Sequence, residues 1–272
     1  MSTFKIKISK NSQPKLISDG FFLYKNCLDE QGQIAFLDAC TLLMEQKNNS
    51  QLISTISEQN YKFAQPVLFY NWPGQPESLK NIVTARPSDI LRLGDEIHQT
   101  GCREQAERKL GNELSLCKIP EQFTPYSLYG ILYQPGSGFG AHQDGANGWT
   151  IALSLGADAD FFYFSLESSK KISQRINEYE ESEGKRADRN IIREFSKLEP
   201  ESEKRHVRIS SGDAILFNGG QIFHGVSKVY SETPEFWKDS VFDRHGMSRF
   251  NLQFRDTFRD NLTYYPFFEH EN

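Results

Sequence analysis

The stretch Arg249-Phe250-Asn251-Leu252-Gln253-Phe254-Arg255 alternates polar and apolar side chains without interruption. Successive side chains of a β-strand point to opposite faces, so this period of two predicts a strand with one apolar and one polar face. We expect the apolar set, Phe250, Leu252 and Phe254, to pack into a β-sandwich. The polar set should line either solvent or a pocket.

Other short runs between about residue 125 and residue 255 have the same character. They are rich in aromatic or β-branched residues, and Gly, Asp or Asn separates most of them. The predicted strands cover residues 126–133, 149–155, 161–164, 207–209, 214–217 and 222–226. Many short strands with turn signals indicate a sandwich or barrel, of which the double-stranded β-helix, or jelly roll, is one form.

The first part of the chain predicts mainly helices. After an arm or edge strand in residues 1–20 and a strand-like run at 20–24, helical patterns cover about 30–46 and 88–111. A polar loop or flap lies between them at 46–62. We therefore predict an α+β protein, mainly β. Residues 1–124 form N-terminal helices and a lid packed on the core, 125–258 form the jelly-roll core, and 259–272 form a C-terminal tail.

A charged segment, residues 166–205, interrupts the strands of the core. Apolar residues such as Ile172, Ile176 and Phe195 recur in it at helical intervals, which predicts an insertion of one or two amphipathic helices. Two interpretations are open. The insertion is either a solvated decoration or a surface shaped for a partner or a large substrate.

Three residues form a candidate metal site: His142 and Asp144 of His142-Gln143-Asp144, and His224. Residues two apart in a strand point to the same face, so His142 and Asp144 can reach one ion. His224 can join them only if another strand returns beside the first. Two imidazoles and one carboxylate suit Fe(II) and leave coordination positions for a co-substrate and O₂. The alternative is a chance motif, in which His142 is a core histidine and His224 a surface one.

The polar face of the 249–255 strand is a candidate anion site. Two guanidinium groups with an amide between them suit the capture of carboxylates, because guanidinium binds a carboxylate through two parallel hydrogen bonds. Arg249 is the candidate for the far carboxylate of a keto diacid, and Tyr133 can donate its hydroxyl to the same carboxylate. Arg255 contacts the near end of the co-substrate or braces the metal ligands. The alternative is an exposed face of an antiparallel strand.

Composition narrows the classes of function. The formal net charge of -5 and the sequence pI of about 5.8 argue against charge-driven coating of nucleic acid, although they allow a local basic groove. No run approaches the roughly 20 apolar residues of a membrane span, and the N-terminus lacks the apolar core of a secretory signal. We expect a cytoplasmic or nuclear protein whose four cysteines are reduced thiols.

With these motifs in view, the chain resembles the AlkB-like Fe(II)/2-oxoglutarate dioxygenases. The resembling residues are Tyr133-Gln134-Pro135-Gly136 leading to the His142 motif, the segment 150–156, Ser211-Gly212-Asp213 through His224-Gly225, and the 249–255 strand. The resemblance is good from about 125 to 258. Two positions depart from the family pattern. Ile131 stands where many relatives have Asn, and Ala146 stands where the bacterial repair enzyme has a second Asp.

The resemblance implies a jelly-roll core with an N-terminal substrate-recognition lid. It places His142, Asp144 and His224 on Fe(II), with Tyr133, Arg249, Asn251 and Arg255 around 2-oxoglutarate. It also implies O₂-dependent demethylation of alkylated bases in DNA or RNA, single-stranded or flipped from a duplex, with release of formaldehyde, succinate and CO₂. An oxygenase acting on a protein side chain or small molecule is the alternative. A non-catalytic binding module is a third interpretation, disfavoured by the complete ligand set.

Overall fold

The computed structural model describes residues 8–9, 12, 14–18, 21–44, 65–68, 88–107, 119, 127–144 and 149–255. Two antiparallel β-sheets dominate this part of the chain. The larger sheet has seven strands in the order β1-β2-β9-β6-β11-β4-β3, and the smaller has four in the order β5-β10-β7-β8. Two such sheets in antiparallel connection are consistent with a jelly-roll core.

The strands agree closely with the sequence periodicity. Those of the larger sheet are β1 (Pro14–Ser18), β2 (Phe21–Tyr24), β3 (Gln65–Leu68), β4 (Ser127–Tyr133), β6 (Trp149–Gly156), β9 (Ala214–Asn218) and β11 (Arg249–Arg255). Those of the smaller sheet are β5 (Phe139–His142), β7 (Ala159–Phe164), β8 (Lys204–Ile209) and β10 (His224–Val229). Strands β1, β2 and β3 precede residue 125, so the first part of the chain extends the larger sheet at both edges.

Helices α1 (Glu30–Met44) and α2 (Ser88–Glu107) confirm both helical predictions. Phe36 of α1 and Ile97 of α2 belong to the largest hydrophobic cluster, together with residues of β2, β6, β9 and β11. These helices therefore cover the outer face of the larger sheet. Among the described residues, no helix has both the length and the apolar character of a membrane span.

The apolar side chains of β11 pack on the opposite face from the one predicted. Phe250, Leu252 and Phe254 all lie in the cluster that contains the helices, outside the sandwich. The polar residues Arg249 and Asn251 are the ones that point between the sheets, where they are 3% and 8% exposed. The prediction was wrong because alternation separates two faces but does not say which one the second sheet covers.

The charged insertion consists of two helices, α3 (Leu166–Glu183) and α4 (Arg189–Lys197), between the paired strands β7 and β8. Ser165 caps the start of α3, and Gly184 ends it in a left-handed conformation with φ 65°. Ile172 of α3 packs with Phe162, Phe164 and Phe223, and Phe195 of α4 packs at the edge of the same cluster. One face of the insertion thus packs on the outer face of the smaller sheet, while most of its other residues are exposed or half-buried, so both interpretations of its role stay predictions.

Candidate metal centre and co-substrate pocket

The pairing of β5 and β10 brings the predicted metal ligands together. His142 is the last residue of β5, Asp144 follows two residues later, and His224 is the first residue of β10. In the antiparallel register His224 lies directly opposite His142. The three side chains form a group that can hold a metal ion, with their ligand atoms within 4.8 Å of one another. The returning strand that the sequence required is therefore β10.

Each imidazole turns its Nε2 atom toward a different oxygen of the Asp144 carboxylate. The distances are 3.8 Å from His142 Nε2 to Oδ1 and 3.9 Å from His224 Nε2 to Oδ2. Both exceed hydrogen-bond length, so the three groups surround a point between them without closing on one another. The side chains of Asp144 and His224 are buried, whereas that of His142 is 17% exposed. Solvent reaches the centre from the side of His142.

Backbone carbonyl groups set the tautomer of both histidines. His142 Nδ1 lies 2.9 Å from the carbonyl oxygen of Gly140, and His224 Nδ1 lies 2.8 Å from that of Ile222. A carbonyl oxygen only accepts, so each Nδ1 carries the proton and each Nε2 presents its lone pair. This arrangement orients imidazole ligands in many metal sites.

Two residues that were not predicted support Asp144. The Thr150 hydroxyl donates to Oδ2 at 2.8 Å, and the Asp144 backbone N–H donates to the Gly219 carbonyl at 2.8 Å. Gly219 has to lack a side chain, because a Cβ atom there would collide with the carboxylate of Asp144. The hydroxyl of Thr150, at one end of the otherwise apolar run Thr150-Ile151-Ala152-Leu153, was the available sequence signal.

Arg249 lies wholly inside the sandwich, beside Tyr133 and Gly156 on the neighbouring strands. Its Nη1 donates to the carbonyls of Ala157 at 2.9 Å and Ile209 at 3.4 Å, and its Nη2 donates to Ser154 Oγ at 2.6 Å. Burial lowers the pKa of Arg249 to about 10.

The guanidinium group of Arg249 has no carboxylate partner within the described part of the chain, and its Nε has no hydrogen-bond acceptor there. An isolated buried charge is costly, so folded proteins pair such charges or let a ligand do so. Arg249 is therefore suited to a buried anion, and its assignment to the co-substrate stays a prediction.

The remaining predicted pocket residues surround Arg249 to different degrees. Tyr133 is buried opposite Arg249, and Asn251 Nδ2 donates to Ser154 Oγ at 3.3 Å and to the Leu153 carbonyl at 3.4 Å. Ser154 thus accepts from both Arg249 and Asn251, a role that was not predicted. The backbone of Arg255 pairs with Thr150, but its side chain lies outside the described atoms, so its role stays a prediction.

A comparison with known protein families shows the superfamily to which the chain belongs. The model of the 2OG-Fe(II) oxygenase superfamily matches residues 20–255, which is most of the chain. The chain belongs to this superfamily. The members use Fe(II), 2-oxoglutarate and O₂, and the triad of two imidazoles and one carboxylate is the donor set expected for that iron. Arg249 is the residue predicted to supply the cation for the dicarboxylate co-substrate.

A solved structure adds support for the fold of this oxygenase. The protein in "The structure of OsALKBH1", an AlkB homologue, aligns with a TM-score of 0.58 over 89% of this chain and 99% of its own, at 17% identity. Together with the superfamily match, this supports the predicted AlkB-like jelly roll, and the low identity limits the likeness to the fold. No curated protein matches the sequence significantly.

Proposed function

We propose that this oxygenase demethylates alkylated bases in DNA or RNA. The main observation in support of an oxygenase site is that strand β6 contacts both the metal ligands and the predicted anion site. Thr150 of β6 donates a hydrogen bond to the ligand Asp144, and Ser154 of β6 accepts one from Arg249. Four residues of extended strand span about 13 Å. Between them stands Ala152, a small side chain on the same inner face, packed in the cluster between the sheets. In the proposal, the diacid lies along this strand between the triad and the guanidinium.

Each residue of the site has a defined task in this proposal. His142, Asp144 and His224 hold Fe(II), with the histidine tautomers set by Gly140 and Ile222. When bound, Fe(II) and 2-oxoglutarate would supply the chemistry with O₂ as the oxidant: one oxygen atom would go into succinate as CO₂ is released, and the other would hydroxylate an N-methyl group, which then leaves as formaldehyde. Arg249, assisted by Tyr133 and Asn251, orients the co-substrate through its far carboxylate. The aromatic residues packed around His224 exclude water from the buried side of the centre.

The choice of a nucleic acid substrate rests on the AlkB-like motifs and on the fold shared with OsALKBH1. A base inside a duplex cannot reach a recessed iron, so the target must be single-stranded or flipped out. The exposed side of His142 is the approach that such a base would use. The acidic net charge predicts that this contact is local to the site rather than a broad basic surface.

The test measures formaldehyde and succinate with a panel of substrates. The protein is incubated with Fe(II), 2-oxoglutarate and O₂, and with N-methylated oligonucleotides, matched unmethylated oligonucleotides or N-methylated peptides. We expect equal amounts of succinate and formaldehyde with the methylated oligonucleotides only. The His142→Ala variant should produce neither.

Two results would overturn the proposal in different ways. Formaldehyde with the peptides and none with any oligonucleotide would assign the enzyme to protein substrates. Succinate formation that persists in His142→Ala would show that the site itself is misassigned.

A further inference from the structure

Helix α3 of the insertion contacts both segments that carry the metal ligands. Ser169, which is fully buried, accepts a hydrogen bond of 2.9 Å from the backbone N–H of Phe223, the residue before His224. Ser173, one helical turn later, donates at 3.2 Å to the side-chain oxygen of Gln143. Residues four apart lie on the same face of a helix, so a single face of α3 reaches the two segments.

Gln143 joins the two segments to each other as well. It stands between His142 and Asp144, so in an extended chain its side chain points away from the metal ligands and toward α3. There its Nε2 donates at 3.0 Å to the backbone carbonyl of Gln221, in the loop that leads to His224. Ser173, Gln143 and the Gln221 carbonyl thus form one continuous link across the back of the metal centre.

The coverage of the smaller sheet by α3 does not require these hydroxyl groups. Ile172, together with Phe162 and Phe223, already forms the apolar contact between the helix and the sheet. A buried hydroxyl is unfavourable unless it is hydrogen-bonded, so alanine would pack at Ser169 with no such requirement. The hydroxyl groups hold specific backbone and amide groups of the ligand segments in place.

We propose that α3 is a brace for the metal centre, in which Ser169 and Ser173 are positioning residues that set the affinity for the metal. The brace fixes the separation of the β5 end, which carries His142 and Asp144, from the β10 start, which carries His224. It rests on the proposed ligands but not on the identity of the substrate. Outer groups that orient metal ligands typically change metal affinity by about 10- to 100-fold when they are removed.

The experiment measures Co(II) binding to the apoprotein by titration, together with the visible absorption spectrum of the Co(II) form. The variants are Ser169→Ala, Ser173→Ala and the double variant. Ser182→Ala is the matched control, because Ser182 lies on the same helix but is exposed and donates to the carbonyl of Tyr179. We expect about 10-fold weaker binding for each single variant, a larger loss for the double variant, and an altered spectrum. The control should match the wild type.

Two further measurements separate positioning from general stability. Ser173→Thr keeps a hydroxyl at a half-buried position and should restore the affinity to within about threefold of the wild type. Thermal unfolding of the apoproteins identifies any variant that fails to fold. If Ser169→Ala fails to fold, the affinity of Ser173→Ala provides the test. Unchanged affinity and spectrum in a folded Ser173→Ala variant would overturn the brace. If instead wild type and His142→Ala bind Co(II) equally, the ligand assignment fails.

Discussion

Replacing Arg249 by methionine should weaken the binding of 2-oxoglutarate far more than it destabilises the protein. The guanidinium group is buried, with three donated hydrogen bonds and no carboxylate partner in the described part of the structure. Methionine fills a similar volume without the charge. The substitution removes the cation for the far carboxylate of the co-substrate, which weakens binding. It also removes a buried charge from the apoprotein, which limits the loss of stability.

The expected size of the effect follows from the burial of Arg249. Removing one partner of a buried, hydrogen-bonded charge pair costs about 2–5 kcal/mol of binding. At about 1.4 kcal/mol per tenfold change, the KM for 2-oxoglutarate should rise by a factor of at least about 30. The apoprotein should change by no more than about 2 kcal/mol, because the lost hydrogen bonds are offset by the removal of an unpaired buried charge. Lysine at this position keeps the positive charge but lacks the planar, two-pronged guanidinium, so the KM of Arg249→Lys for 2-oxoglutarate should lie between those of the wild type and Arg249→Met.

The assay is the initial rate of succinate release as a function of 2-oxoglutarate at saturating Fe(II). Arg208→Met is the control, since Arg208 is 47% exposed and pairs with Asp160 on the surface. That variant should keep the KM of the wild type. If Arg249→Met binds iron and has a KM for 2-oxoglutarate within threefold of the wild type, Arg249 is not the co-substrate anchor.

Two other predictions concern the metal centre and the acid stability of the insertion. Gly219→Ala should lower Co(II) affinity at least about 10-fold, because its Cβ displaces the Asp144 carboxylate. Gly140→Ala, where a Cβ meets nothing within 4 Å, should bind normally, and equal affinities would contradict this reasoning. Burial alone raises the pKa of Glu199, but its hydrogen bonds, including one of 2.5 Å from Arg175, lower it below 4.5 overall. The carboxylate therefore stabilises the fold above pH 4.5, and the advantage of the wild type over Glu199→Gln should disappear as the pH falls below that value. Urea unfolding of the wild type and Glu199→Gln at pH 7 and pH 3 measures this difference in stability. A difference at pH 3 as large as that at pH 7 would contradict the stabilising role of the Glu199 carboxylate.

Much of the secondary structure was predictable because it depends on local backbone geometry. The alternation in 249–255 predicted β11 correctly, and the helical intervals in 166–205 predicted α3 and α4. The same patterns did not predict which face of β11 would be inside. Phe250 is as buried as Arg249, so burial alone does not indicate which face of the strand packs against the second sheet.

The supporting residues of the site were less predictable than the ligands. Thr150, Ser154 and Gly219 are chemically ordinary residues, and their roles depend on what the fold brings within about 3 Å of them. Ser169 and Ser173 are further examples, since a serine in a charged helix usually faces solvent. Their hydrogen bonds exist only because α3 lies across the smaller sheet.

The sequence by itself predicted the chemistry of the site: two imidazoles and a carboxylate for a metal, and a guanidinium for a carboxylate. It also determined the strand and helix periods, because those follow from neighbouring residues along the chain. The tertiary structure alone decided that β10 returns beside β5 and that Arg249 is buried without a carboxylate partner in the described structure. It also decided that the inserted helix α3 forms hydrogen bonds with both ligand segments. These features join residues far apart in the chain, and their geometry depends on how the sheets and helices pack together.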